Sequence, residues 1–406
     1  MDVLLLCGYF EPKYQAEINE KTKTWVENAA NTFQQRLIKG FKQQDINLTI
    51  VSAPFIGPWP TAYKDIIFKH FRAGESDEAI TYVGFNNVWG YRNISRTAAL
   101  KKQVRAFLKA SKSEKKAVIV YSPHTPFLEA AVYAKSIDPS VHIHMVVPDL
   151  PQYMNLSKKA HPIYDFFKRI DIKKFYLQNA HVDSYMLLTK YMADKMDVGS
   201  RPYIVVEAII DEVPEQLGNG HPRGKVIAYA GKLVESFGVK RLVEAFEMIS
   251  DPDVQLQICG GGELRSYIEE MARKDERIIY HGQVSAEMAH EILMNADVLV
   301  NPRLNDDEYT KYSFPSKNIE YLMTGNAVVA YMLDGMPDAY RGFLKIPCNN
   351  SELALVKALQ NCLASKTTHN DEVEKVLTYC RQQCVAIRVA CRILGMVTDT
   401  KVDKTK

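Results

Sequence analysis

Long hydrophobic runs are missing from this sequence. No window holds about 18 consecutive apolar residues, so none reads as a membrane span. The apolar stretch at 3–7 is far shorter and follows no basic segment, so a first strand is expected there rather than a signal peptide. Cysteine is sparse and unpatterned: seven residues, an odd number, without CxxC spacing. That excludes a disulfide framework and a zinc ribbon, and Cys380 and Cys384, one helical turn apart, read as buried reduced thiols. Charge of one sign is also lacking, with 51 Lys+Arg against 48 Asp+Glu for a net +3, too little to imply nucleic acid. No short repeat suggests a solenoid. A cytoplasmic protein is expected, with contact to the inner face of the plasma membrane left as an open alternative.

At 406 residues, 47% apolar and 24% charged, the chain suits two ordinary globular domains. Short apolar runs alternate with helical patterns. Strands are expected at 3–7, 48–52, 117–121 and 142–147, with helices such as 26–41, 95–110 and 126–136 between and after them. A polar, Gly- and Pro-containing stretch at 212–224 reads as a linker. Beyond it come strands at 226–230, 255–259, 278–280, 298–301 and 327–330, interleaved with helices at 239–249, 263–274, 286–295 and 315–324. This alternation predicts an α/β protein with doubly wound parallel sheets, whose ligands bind at the carboxyl ends of strands. The expected division is 1–205, 206–371, and a C-terminal helix and polar tail at 372–406, the helix spanning 372–396.

The segment KYSFPSKNIEYLMTG, 311–325, carries more than a helix start needs. Ser313 and Ser316 suit orphan amides, Pro315 suits a first turn, and Gly325 suits a left-handed close. Ile319, Leu322 and Met323 form the expected core stripe. The surplus is Ser316, Lys317 and Glu320. A helix N-terminus with a lysine suits phosphate, and a carboxylate one turn on, about 6 Å along the axis, suits ribose hydroxyls. A solvated helix face is the alternative.

The stretch 301–325, NPRLNDDEYTKYSFPSKNIEYLMTG, resembles the donor-site signature of retaining family 4 glycosyltransferases of the GT-B fold, above all their bacterial capsule and exopolysaccharide branch. The likeness runs on through IAYAGKLVESFGVKRLVEAF, LQICGGGEL, IIYHGQVSAEMAHEILMNADVLVNP and VVAY, covering most of 226–331 in order. The first half resembles the family only in layout. The resemblance implies two Rossmann-like domains facing across a cleft, with the C-terminal helix packing back on the first. It implies a nucleoside-diphosphate sugar held by the second half. Gly231 and Lys232 would meet the diphosphate from one side, Ser316 and Lys317 from the other, and Glu320 would bind the ribose. Gly260, Gly261 and Gly262, with His281, Gly282 and Gln283, would line the nucleoside pocket; a tight strand-to-helix turn is the plainer reading of the three glycines.

Two positions depart from the family pattern. Tyr312 stands where many members have a glutamate for the donor sugar, and Phe237 where many have a second phosphate-binding lysine. Glu308 and Arg303 are the candidate replacements.

On the acceptor side, Asp149 occupies a place resembling the family's polar residue against the donor sugar; a cap or turn aspartate is the alternative. His124, in YSPHTPF, follows a strand and either faces the cleft or is a satisfied loop residue. The loop 8–13, with Gly8 and Tyr9, should border the acceptor. In the retaining class the departing phosphate can itself take the acceptor proton, so catalysis falls on Lys232, Lys317 and Asp149 rather than on a strong base, and no metal or other cofactor is expected. Asp306–Asp307 and Asp251–Asp253 are the acidic pairs present, and both read as solvated. Basic residues mix with aromatics in IIFKHFRAG, NVWGYRNISRTAALKKQVRAFLKASKSEKK and YDFFKRIDIKKFY, either as a solvated face or as a peripheral membrane surface.

The function expected is transfer of a sugar from a nucleotide sugar to a glycan or lipid-linked saccharide in capsule, exopolysaccharide or O-antigen synthesis. A nucleotide-sugar hydrolase or epimerase, and a non-catalytic GT-B-like partner subunit, are the alternatives.

Overall fold

A computed structural model describes residues 1–24, 28–74, 79–153, 162–214, 224–306, 308–365 and 370–398. Contacts divide the chain into a first unit, Met1–Asp211 with Gln383–Lys406, and a second, Glu212–Gln382. Trp25, Val26 and Glu27, most of the expected linker, Asp307 and the tail beyond Thr398 lie outside the described residues.

The first unit begins β1 (Asp2–Cys7), α1 (Pro12–Lys21), α2 (Asn28–Lys42) and β2 (Asn47–Ser52). Four short strands follow: β3 (Ile67–Phe68), β4 (Phe71–Ala73), β5 (Ile80–Tyr82) and β6 (Phe85–Asn86). Then come α3 (Arg92–Ala110), β7 (Lys116–Tyr121), α4 (Thr125–Ile137), β8 (His142–Val147), α5 (Pro162–Asn179), β9 (Ser184–Leu187), α6 (Met192–Lys195) and β10 (Tyr203–Val205). Its main sheet runs β10-β9-β8-β7-β1-β2-β5-β4, parallel except for the β4–β5 edge. Helices cover both faces, which is why the central strands read as unbroken apolar runs: Val3, Leu4, Val118, Ile119 and Ile143 have no exposed surface.

The second unit is β11 (Val226–Ala230), α7 (Val239–Glu247), β12 (Gln255–Cys259), α8 (Arg265–Lys274), β13 (Ile278–Gly282), α9 (Ala286–Met294) and β14 (Val298–Asn301). It continues through α10 (Lys317–Leu322), β15 (Ala327–Ala330), α11 (Glu352–Ala364) and α12 (Asn370–Gln383). Its sheet is wholly parallel in the order β13-β12-β11-β14-β15. The order reverses between β11 and β14, the switch point where such sheets bind ligands.

The expected helix at 372–396 is broken. Val385 leaves the helix to form a parallel bridge with Ile210. The amide of Ile210 donates to the Cys384 carbonyl at 2.9 Å, and Ala386 N–H donates to Ile210 O at 3.0 Å. Those backbone groups are spent on pairing, so α12 stops and α13 (Ala386–Thr398) starts anew in the first unit. It lies on α2 so closely that a Cβ on Gly40 would overlap the Ala386 carbonyl. The end of the expected loop 8–13 is also helical, since Pro12 opens α1.

Candidate active site

Three neighbouring strands of the second unit, β11, β12 and β13, end in backbone turns that press on one another. After β11, the Gly231 amide donates to Cys259 O at 2.9 Å, and Leu233 N–H donates to Gly261 O at 2.9 Å. After β12, Gly260 N–H donates to Gly282 O at 2.8 Å, and Gly260 O accepts the Tyr280 hydroxyl at 2.8 Å. Gly260, at φ +137°, could carry no side chain: its Cβ would overlap the Gly231 carbonyl. Both readings of the three glycines therefore hold for Gly260, a tight turn that is also a close backbone approach. Gly261 lies against Gln283, whose Oε1 would be 3.1 Å from a Cβ there.

The 311–325 stretch reaches the same place. A Cβ on Gly231 would stand 2.6 Å from Lys317 Cε and 3.1 Å from its Nζ. The Lys317 side chain thus lies across the Gly231 turn, half-buried. Burial holds its pKa below the ordinary lysine range, with Glu320 and the Cys259 thiol acting in the opposite sense. Among the described residues no carboxylate forms an ion pair with it. Lys232, Ser316 and Glu320 are exposed beside it in sequence, and the Lys232 carbonyl is fixed by the Tyr229 hydroxyl at 2.9 Å.

Two expectations for this stretch need correction. Ser316 does not cap the helix: it is itself in the helical region, and its side chain makes no cap hydrogen bond. The helix is only six residues long, so its dipole offers an anion little, and Lys317 carries the charge. The buried face is Asn318, Ile319, Tyr321 and Leu322, while Met323 is only half-buried. Tyr321 explains the difference. Its hydroxyl donates to Ala230 O at 3.0 Å and accepts from Ala230 N–H at 2.9 Å, tying α10 to the end of β11. Asn318 Oδ1 accepts from Asn301 at 2.7 Å, tying α10 to β14 as well. Sequence reasoning missed Tyr321 and Asn318; polar groups on the core side of a short helix were the available signal.

Each departure from the family pattern touches its candidate replacement. The Arg303 guanidinium lies 5.1 Å from the Phe237 ring centroid and 5.9 Å from that of Tyr309, and also meets Ser313 Oγ at 3.4 Å. The Tyr312 hydroxyl donates to Glu308 Oε1 at 3.2 Å. Asp251 and Asp253 share Lys225, at 2.7 and 3.5 Å, which makes them an ion-paired turn.

In the first unit, Gly8, His124 and Asp149 follow β1, β7 and β8, three adjacent strands. Phe55 links two of them: a Cβ on Gly8 would lie 2.5 Å from its ring, and that ring packs at 5.9 Å from the His124 imidazole. His124 Nδ1 is buried without a partner, and burial together with Arg96 and Arg92 holds the imidazole neutral. Tyr9 is buried and its carbonyl accepts from Ser52 Oγ at 2.5 Å; burial raises its phenol to about 12. Asp149 is exposed.

Two Rossmann-like units of this kind, one with a glycine-lined switch point, define the GT-B fold. Residues 224–365 match the family described as Glycosyl transferases group 1. The whole chain is similar to sucrose-phosphate synthase from Thermosynechococcus elongatus, at 12% identity, 98% of each chain and a TM-score of 0.60. HepE from Anabaena, solved with UDP and glucose, aligns at 12% identity over 98% of this chain and 99% of its own, TM-score 0.57. The catalytic domain of starch synthase IV from Arabidopsis thaliana, solved with ADP and acarbose, aligns at 8% identity over 98% and 100%, TM-score 0.58. At such identities these structures speak to the fold alone. No curated protein sequence matches the chain. The matched domain within this fold supports glycosyl transfer as the class of activity.

Proposed function

We propose that the protein is a retaining glycosyltransferase that takes a sugar from a nucleoside-diphosphate sugar and adds it to a glycan or lipid-linked saccharide in bacterial capsule, exopolysaccharide or O-antigen synthesis. The observation that carries this reading is the Lys317 ammonium lying across the Gly231 turn, held by burial below its normal pKa and with no described carboxylate in ion-pair contact. A diphosphate would supply the missing charge. In this reading the Gly231 and Lys232 turn and Lys317 hold the diphosphate, Glu320 accepts from the ribose, and Gly261 and Gly282 border the nucleoside. Charge growing on the leaving phosphate is stabilised by groups fixed in advance, and that phosphate takes the acceptor proton, so no metal or strong base enters. Asp149, His124, Gly8 and Tyr9 belong to the acceptor side.

Arg303, stacked on Phe237, supplies the second cation that a lysine gives elsewhere, and Glu308, held by Tyr312, supplies the carboxylate. Charge-assisted contacts to phosphate are the strong ones, so Arg303→Ala should weaken nucleotide affinity by roughly tenfold or more. Titration calorimetry with uridine, guanosine and adenosine diphosphates checks this, and unchanged affinity removes Arg303 from the donor site. The same two departures favour a second reading, a non-catalytic subunit on the GT-B fold. Stabilisation by a nucleotide in a thermal-shift panel, followed by sugar transfer to a membrane lipid extract, supports the enzyme; indifference to every nucleotide supports the subunit.

A further inference from the structure

The face of α3 that borders α4 is cationic. Ala98, Lys101, Lys102 and Arg105 recur at the i, i+3, i+4 and i+7 spacing that an amphipathic helix usually fills with apolar side chains. With Tyr133 of α4 they line a cleft of about 250 Å³. The packing of the two helices rests on other residues: Leu100, Val104 and Phe107 of α3 and Leu128, Ala131 and Ala134 of α4 are buried.

Lys101 and Arg105 stand one turn apart and both lie over the Tyr133 ring, the ammonium at 5.4 Å and the guanidinium at 5.3 Å from its centroid. Arg105 Nε also donates to the Tyr133 hydroxyl. Like charges at that spacing repel. α3 itself carries no carboxylate, and Glu114 lies past its C-terminal end. The acids around α4 are engaged elsewhere: Glu129 with Lys174, Asp138 with Lys116 and Asp183 with Lys135. Among the described residues no carboxylate forms an ion pair with Lys101, Lys102 or Arg105. The lining therefore offers positive charge and hydrogen-bond donors, while its one side-chain acceptor, the Tyr133 oxygen, already accepts from Arg105. Such a lining selects an anion.

We propose that the α3–α4 cleft is a second ligand site of this protein, and that it takes a small phosphate monoester, such as a free sugar phosphate. The Arg105 fork and the Lys101 and Lys102 ammoniums meet the phosphate oxygens, and the Tyr133 ring lies along the carbon skeleton. The volume falls just below the range of about 300–1,000 Å³ that suits drug-sized ligands, which favours one phosphorylated sugar over a nucleotide. Tyr133 stands about 13 Å along the α4 axis from His124, so the cleft is separate from the strand ends of the first unit. None of its residues belongs to the donor or the acceptor side, and the proposal does not rest on the transferase reading.

The test is titration calorimetry of the full chain with glucose 6-phosphate at fixed ionic strength, with glucose run in parallel. One saturable site is expected for the phosphate ester and none for glucose. The double substitution Lys101→Ala with Arg105→Gln should weaken that binding roughly tenfold or more, whereas Lys317→Ala should leave it unchanged. Arg105 is exposed and Lys101 half-buried, and circular dichroism confirms that the fold persists. A wild-type chain that does not bind glucose 6-phosphate overturns the proposal, as does a double variant that binds it as tightly. Loss of binding in Lys317→Ala also overturns it, by placing the phosphate in the donor site. Flotation with phosphatidylglycerol vesicles in the absence of any binding to the free ester overturns it as well, by assigning the cations to a lipid surface.

Discussion

At the scale of single residues, the proposed donor site turns on one displaced proton equilibrium. Lys317 is penalised for its charge by burial and lacks a described ion-pair partner. A bound diphosphate reverses the penalty, so binding and protonation are linked. Nucleotide affinity should fall as pH rises through the depressed Lys317 pKa, below the range of an ordinary lysine, and binding on the alkaline side should take up a proton. Calorimetry in buffers of different ionisation enthalpy measures that uptake. Lys317→Met should abolish it, while a proton uptake unchanged in the variant assigns the titration to another group. Gly231 belongs to the same equilibrium, because any side chain there displaces the Lys317 stem.

At the scale of elements, the second unit was the more legible half. Its strands at 226–230, 255–259, 298–301 and 327–330 stand where the apolar runs placed them, since a parallel strand covered on both faces must be apolar throughout. The pairs β3–β6 and β9–β10 went unseen because runs of two to four residues carry no measurable period. The break between α12 and α13 was hidden for another reason. The helical pattern of 372–396 continues through Val385, and only a tertiary partner, Ile210, takes its backbone out of the helix. Within α10, apolar residues alone were taken for the core face, yet Tyr321 and Asn318 are buried by virtue of their hydrogen bonds. Tyr321→Phe leaves both polar groups of Ala230 without the hydroxyl and should cost roughly 1–3 kcal/mol, read from denaturant unfolding. A variant as stable as wild type would show that the tie between α10 and β11 is incidental.

The β7–β8–β9 ladder makes a separate, pH-dependent prediction. The Ser184 hydroxyl bridges His142 Nε2 at 2.7 Å and His144 Nδ1 at 2.8 Å. Burial and the neighbouring His142 push His144 down to about 3 from the 6.5 of a free histidine. Between those values the unfolded chain binds a proton that the folded sheet refuses. Stability is therefore lost as pH falls from 6.5 towards 3, by about 1.4 kcal/mol per pH unit for one such group. His144→Leu should flatten that acid limb in thermal unfolding between pH 6.5 and 4; an equally steep limb in the variant excludes His144 as its source.

At the scale of the whole molecule, the chain makes two Rossmann-like units, and its C-terminal helix completes the first rather than the second. The carboxyl ends of the strands carry different residues in the two units. The second gathers glycine turns and a half-buried ammonium, the features on which the proposed diphosphate site rests. The first follows its adjacent strands β1, β7 and β8 with Gly8, His124 and Asp149. The Gly40 contact with Ala386 holds that first unit together, and Gly40→Ala should lower its stability without altering nucleotide affinity, as thermal unfolding and calorimetry together would show.

The most direct test is the affinity of uridine, guanosine and adenosine diphosphates for wild type and Lys317→Ala, with unfolding of the ligand-free proteins as control. At least one nucleotide should bind wild type and bind the variant roughly 10- to 100-fold more weakly, with the ligand-free variant no less stable. A wild-type protein silent to all three, or a variant that binds as tightly, would contradict a diphosphate held between Gly231 and Lys317.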